Sequence, residues 1–135
     1  MSGRRFLGFI AVLGVLSAAT TALAHHSFSA EFDANKPLKM TGTVTKVEWM
    51  NPHTWFYVDV KDDAGNVTNW GFELASPNIL MRKGWSPTSM KAGDVVTVEA
   101  FGAKSAANVA NARTVTLAST GKTLLTGSSA PGSAQ

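Results

Sequence analysis

From His53 to Val60 the side chains alternate in kind: His53, Trp55, Tyr57 and Asp59 fall on one parity, Thr54, Phe56, Val58 and Val60 on the other. A repeat of two puts those sets on opposite faces of an extended chain, and no helix reproduces it. This stretch is therefore expected to be a strand with Thr54, Phe56, Val58 and Val60 toward a core. Asn51-Pro52 marks its start, because proline has no N–H to give to a ladder and restricts the residue before it. At the far end, Lys61 to Asn66 holds the Asp and Gly residues that a tight reversal needs. Val67 to Leu74 then reads as the antiparallel partner, with Trp70, Phe72 and Leu74 on one face.

The remaining segments extend this pattern. Leu38 to Met50, rich in Thr and Val, predicts a strand that bends or bulges at Gly42. Ser76-Pro77 predicts a helix start, with serine as N-cap and proline in the first turn, followed by Ile79, Leu80 and Met81 and ending near Gly84. Met90 to Asp94 turns the chain into Val95 to Phe101, where Val96, Val98 and Ala100 alternate with Thr97 and Glu99. Gly102 to Ala112, small and polar, is expected to be a loop. Arg113 to Ala118 is a further strand with Val115 and Leu117 inward, and Ser119 to Lys122 turns it toward a short Thr123 to Leu125 segment. Short strands with glycine turns, and one helix between the third and fourth of five, predict an all-β fold with an OB-like small barrel. An open β-sandwich with the helix as a lid is the alternative.

Upstream of the barrel, Arg4 and Arg5 precede an apolar run from Phe6 to Leu16 and a small-x-small exit at Ala22-Leu23-Ala24. These are the parts of a secretory signal peptide, and the run falls short of the roughly 20 residues that a membrane-spanning helix needs. The expected divisions are a signal peptide at 1–24, an arm at 25–37 held to the domain by Phe28 and Phe32, the barrel at 38–125, and a disordered tail at 126–135 with nothing to bury. Cleavage after Ala24 would place the working protein in the periplasm or outside the cell, with no stable membrane span and no cysteine for a lipid anchor. It would also remove Arg4 and Arg5, leaving ten basic against nine acidic residues, a net charge of +1 rather than +3. So small a surplus leaves little of the phosphate-neutralising charge that nucleic-acid binding relies on, and no nucleic-acid partner is expected. With no cysteine at all, neither disulfides nor thiolate chemistry are available, and any metal must use imidazole, amine, thioether or oxygen.

No catalytic template is present: neither a Gly-x-Ser-x-Gly elbow, nor a phosphate-binding loop, nor His-Glu-x-x-His. The acids Glu48, Asp59 and Glu73 are expected on solvated strand faces. Only three histidines occur, His25, His26 and His53. Cleavage after Ala24 would make His25 the first residue, so that its α-amine and ring nitrogen could chelate one metal together, with His26 or His53 as a third nitrogen donor, a set that suits copper(II). The alternative leaves His25 and His26 at a frayed terminus and His53 beside the Pro52 turn. A second route joins His53 to the thioether of Met50 and the indole of Trp49; it resembles the small periplasmic OB-fold copper and silver chaperones, which use one His, a Trp and a pair of Met residues. Here Met50 stands alone and the His follows the Trp. Trp49, Trp55 and Tyr57 could instead form a ligand or partner face, or simply pack.

Five motifs together carry a wider resemblance: His-His-Ser-Phe-x-x-Glu-Phe-Asp from His25 to Asp33, Gly42-x-Val44, Trp49-x-Asn51-Pro52-His53, Gly84-Trp85, and Gly93-Asp94-x-Val96. They resemble a family of exported bacterial proteins known as a domain of unknown function, over nearly the whole chain from His25 to about Leu125. The resemblance implies a small secreted β-domain and brings no activity with it. Three functional expectations stand: a periplasmic binding protein holding copper through its histidines, an accessory module docking on an exported enzyme or envelope protein through its aromatic face, and a histidine-brace copper oxidase.

Overall fold

The computed structural model describes residues 28–128. After helical residues 28–31 come six strands and a short helix: β1 (Phe32–Glu48), β2 (Trp55–Lys61), β3 (Val67–Glu73), α1 (Pro77–Arg82), β4 (Val95–Ala103), β5 (Val109–Leu117) and β6 (Thr123–Leu125). The strand order is β3-β2-β1-β4-β5-β6, and β3 pairs again with β5. That last pairing is parallel, all others are antiparallel, and together they close a five-stranded ring. The architecture is therefore an all-β, OB-like small barrel with its helix between the third and fourth strands. β6 is a sixth strand laid on β5 outside the ring.

The parity of residues 53–60 holds: Thr54, Phe56 and Val58 are buried, while Trp55 and Tyr57 are only partly covered. In the core Phe56 and Val58 join Phe72 from β3 and Leu74 just beyond it, Val96 and Val98 from β4, and Val115 from β5. Phe56 and Phe72 stack with ring centroids 5.1 Å apart. α1 seals one end through Leu80, and Trp85, just beyond it, donates its indole N–H to the Leu125 carbonyl at 2.9 Å. Without disulfides, this apolar burial, at roughly 1.5–3 kcal/mol per large side chain, is what offsets the entropy of ordering the chain.

Several boundaries differ from expectation. β1 begins at Phe32 rather than Leu38, because Phe28 and Phe32 pack with Phe101 in a second apolar cluster that draws the arm into the sheet. Between Phe32 and Pro37 the register with β4 shifts, and Pro37 sits where β1 has not yet met β2, so its missing N–H costs no ladder bond on that side. The expected loop at 102–112 shrinks to 104–108; Gly102, Ala103, Ala110 and Ala112 have little strand propensity but are small enough for a tight interior. Ser76 makes no side-chain cap, so Pro77 alone sets the helix entry. Thr126 and Ser128, expected in a disordered tail, are buried. Residues 129–135 of the expected tail and residues 1–24, the expected signal peptide, lie outside the described residues.

Gly42 pairs with Val60 of β2 and Val96 of β4 at once, where β1 passes from one neighbour to the other. The bulge in β1 itself comes at Thr45, between Val44 and Lys46. A Cβ on Gly42 would collide with the Asp59 carbonyl oxygen and stand 2.7 Å from Val58 Cγ1. Backbone cannot yield as a side chain can. Gly42→Ala is expected to lower unfolding stability by about 2–4 kcal/mol in urea titration, as overpacking of a rigid site does.

Candidate functional site

The β2–β3 ladder runs on past both strand ends, with Thr54 N–H donating to Ala75 O at 3.1 Å and Leu74 N–H to Thr54 O at 2.8 Å. This pins His53 beside the end of β3, diagonal to the outer-parity residue Glu73. There His53 Nδ1 closes on Glu73 Oε1. The second carboxylate oxygen, Oε2, accepts from Asn111 Nδ2 at 3.2 Å, and Asn111 stands opposite Glu73 in the parallel β3–β5 register. Asn111 Oδ1 in turn accepts from the Ser128 hydroxyl. Side chains from the entry to β2, from β3, from β5 and from the C-terminal segment thus form a single hydrogen-bonded row.

Burial grades sharply along this row. Asn111 and Ser128 are buried, and the Glu73 side chain is 7% exposed against 43% for that of His53. A carboxylate only accepts, so Nδ1 carries a hydrogen, and in a neutral imidazole Nε2 then holds the lone pair. With a neutral imidazole the buried pair retains the full negative charge of Glu73. A cation at Nε2, a proton or a metal ion, would balance it.

Around the row lies a cleft of about 280 Å³, whose apolar walls include Phe28, Phe32, Leu74 and Ile79. Phe28 is fixed there by two rings, stacked on Phe32 with centroids 5.7 Å apart and edge-on to Phe101 at 5.9 Å. The arm that follows His25 and His26 is thereby seated at the mouth that His53 faces.

Of the residues singled out in the sequence, His53 lines this cleft, and His25 and His26 lie outside the described residues. Met50 is 50% exposed, and the cleft is lined from that segment by Pro52 and His53 instead. Trp49 packs against the main core. Trp55 and Tyr57 flank Gly71, where a Cβ would stand 3.3 Å from the Tyr57 ring and 3.9 Å from that of Trp55. Tyr57 is further engaged: its hydroxyl donates to Glu48 Oε2 at 3.0 Å, and Lys46, paired with Glu48, sits 5.7 Å from its ring centre. Among the described residues, no three His, Cys, Asp or Glu side chains form a group that could hold a metal ion. No described helix is long and apolar enough to cross a membrane.

Glu73 overturns the expectation of a solvated face. The hairpin register held the clue, since the positions paired across the turn sum to a constant, which sets His53 opposite Ala75 and next to Glu73. Asn111 and Ser128 gave no such local signal, because only the closure of the ring brings them to Glu73.

Two measurements follow. Thr54 Oγ1 is buried with no hydrogen-bond partner among the described residues. An unmet buried hydroxyl costs about 1–3 kcal/mol, so Thr54→Val should raise stability by about 1 kcal/mol in urea unfolding. On the outer face, the Lys46 hydrogen bond first and then that of Tyr57 hold the Glu48 carboxyl below its ordinary value of 4.5. A depressed acid contributes stability that is present above its unfolded value and lost as pH falls through the folded one. The stability difference between wild type and Glu48→Gln should therefore be full at neutral pH and fade below about pH 4.5. It should also fade at strongly alkaline pH, because Glu48 holds Lys46 above its ordinary 10.5.

No curated protein and no solved structure matches the chain. Its residues 12–112, well over half of its length, match a family described only as of unknown function. The chain belongs to that family, DUF6152.

Proposed function

We propose that this is an exported, periplasmic binding protein for a transition metal ion, copper first, with His53 as the ligand fixed by the barrel and His25 and His26 as ligands brought by the arm. One observation carries the reading: Phe28 is anchored in the cleft that His53 faces. A residue spans at most about 3.6 Å of chain, so the His26 and His25 Cα atoms lie within about 7 and 11 Å of that of Phe28. Removal of the signal peptide after Ala24 would give His25 a free α-amine, so that amine, imidazole and His53 Nε2 make three nitrogen donors, a set that favours copper(II) among divalent ions. The carboxylate behind His53 supports the same reading, because metal-bound histidines commonly donate their other N–H to such a partner. Met50 and Trp49 are left for outer contacts.

The processed protein, its N-terminus checked by mass, is titrated with copper(II) against a competing chelator. Wild type is expected to bind at least tenfold more tightly than the His25→Ala, His53→Ala double variant. Equal affinities would sink the proposal. A chain carrying one extra residue before His25 should lose most of the difference, since its amine is then a peptide nitrogen.

A further inference from the structure

The last described residues do more than close the chain. Thr126 is fully buried: its hydroxyl lies within donating reach of the Ala112 and Arg113 carbonyls, its N–H donates to Arg113 O at 3.3 Å, and its carbonyl accepts from Ala75 N–H at 3.2 Å. Gly127 has φ +65°, and a Cβ there would stand 2.7 Å from Ile79 Cγ2 and 3.1 Å from Ala75 Cβ. The segment is thus a strap threaded tightly between α1 and the barrel wall, in a conformation and a space that suit only glycine. Its outcome is to deliver Ser128 Oγ to Asn111 Oδ1.

We infer that this strap, Thr126-Gly127-Ser128, is a positioning element of the His53 site: through Asn111 and Glu73 it sets which imidazole nitrogen faces a ligand. An amide side chain has one accepting and one donating end. Ser128 occupies the accepting end, so Asn111 turns its NH₂ to Glu73 and cannot flip to oppose oxygen to oxygen. Glu73 Oε2 is thereby held, Oε1 stays directed at His53 Nδ1–H, and Nε2 keeps its lone pair outward. Asn111 and Ser128 are positioning residues, acting only through Glu73. The inference rests on the metal reading for the identity of the ligand, but its tautomer claim does not depend on that reading.

The test uses the processed full chain. Nitrogen-15 NMR of the His53 ring, recorded where the imidazole is neutral, is expected to show the Nδ1–H tautomer in wild type and a mixture in Asn111→Ala, Ser128→Ala and Gly127→Ala, with the backbone amide spectrum of the barrel retained in Ser128→Ala. Copper(II) affinity should fall by about tenfold in Asn111→Ala and by a few-fold in Ser128→Ala, in line with losses on removing partners behind a ligand. His53 remaining in the Nδ1–H form in Asn111→Ala and Ser128→Ala would overturn the inference, and Ser128→Ala decides the strap's part even if Gly127→Ala does not fold. A tautomer that shifts in a protein that never binds copper would refute the metal reading and leave the strap's role intact.

Discussion

The parallel pairing of β3 with β5 is what the rest of the structure depends on. It comprises three residue pairs, Gly71 with Val109, Phe72 with Ala110 and Glu73 with Asn111, extended by Gly71 N–H donating to Asn108 O at 2.9 Å. These contacts join segments almost forty residues apart, so their loop entropy is met only once the β1–β4–β5 sheet has formed. They nevertheless convert a sheet with two free edges into a ring. The same closure turns Glu73 from a surface acid into a buried one, by bringing Asn111 against it and leaving the arm and the strap to cover its other sides.

Legibility in the sequence followed the range of the interactions. The parity of Thr54, Phe56 and Val58, the hairpin around Asp62 to Asn66 and the inward set Val96, Val98 and Ala100 were all readable, because each depends on neighbours a few residues away or on a hairpin partner. The order of strands around one helix was enough for an OB-like barrel. What failed was long-range. Ala110 and Ala112 looked like loop because their strand character comes from the space they fill rather than from propensity, and Thr126 and Ser128 looked like tail because their partners lie on β5. Of the site, His53 was legible as a rare residue in an unusual setting, and Glu73 was misread because outer parity was equated with solvent.

That misreading is informative about function. An outer-face carboxylate on an open sheet is ordinary, but one that is 5% exposed at the rim of a barrel has lost water that hydrogen bonds from Asn111 and His53 must replace. Replacing Glu73 by an apolar residue would leave the buried Asn111 NH₂ without its acceptor, so the carboxylate is bound into the row rather than standing as an isolated acid. The arrangement makes sense if the charge is wanted at the His53 ring, where it orients Nδ1 and raises the pull of Nε2 on a cation.

The arm completes this argument. Phe28 and Phe32 bury two large rings in a cluster separate from the main core, around Phe101. Phe28 thereby lines the cleft beside His53, and on the proposed reading this raises the effective concentration there of the donors that precede it. The residues that precede it are Ser27, His26 and His25. On the proposed reading, the buried carboxylate behind His53 and the arm whose Phe28 lines the same cleft serve one site, the first by orienting Nδ1 and the second by keeping the tether to His25 and His26 short.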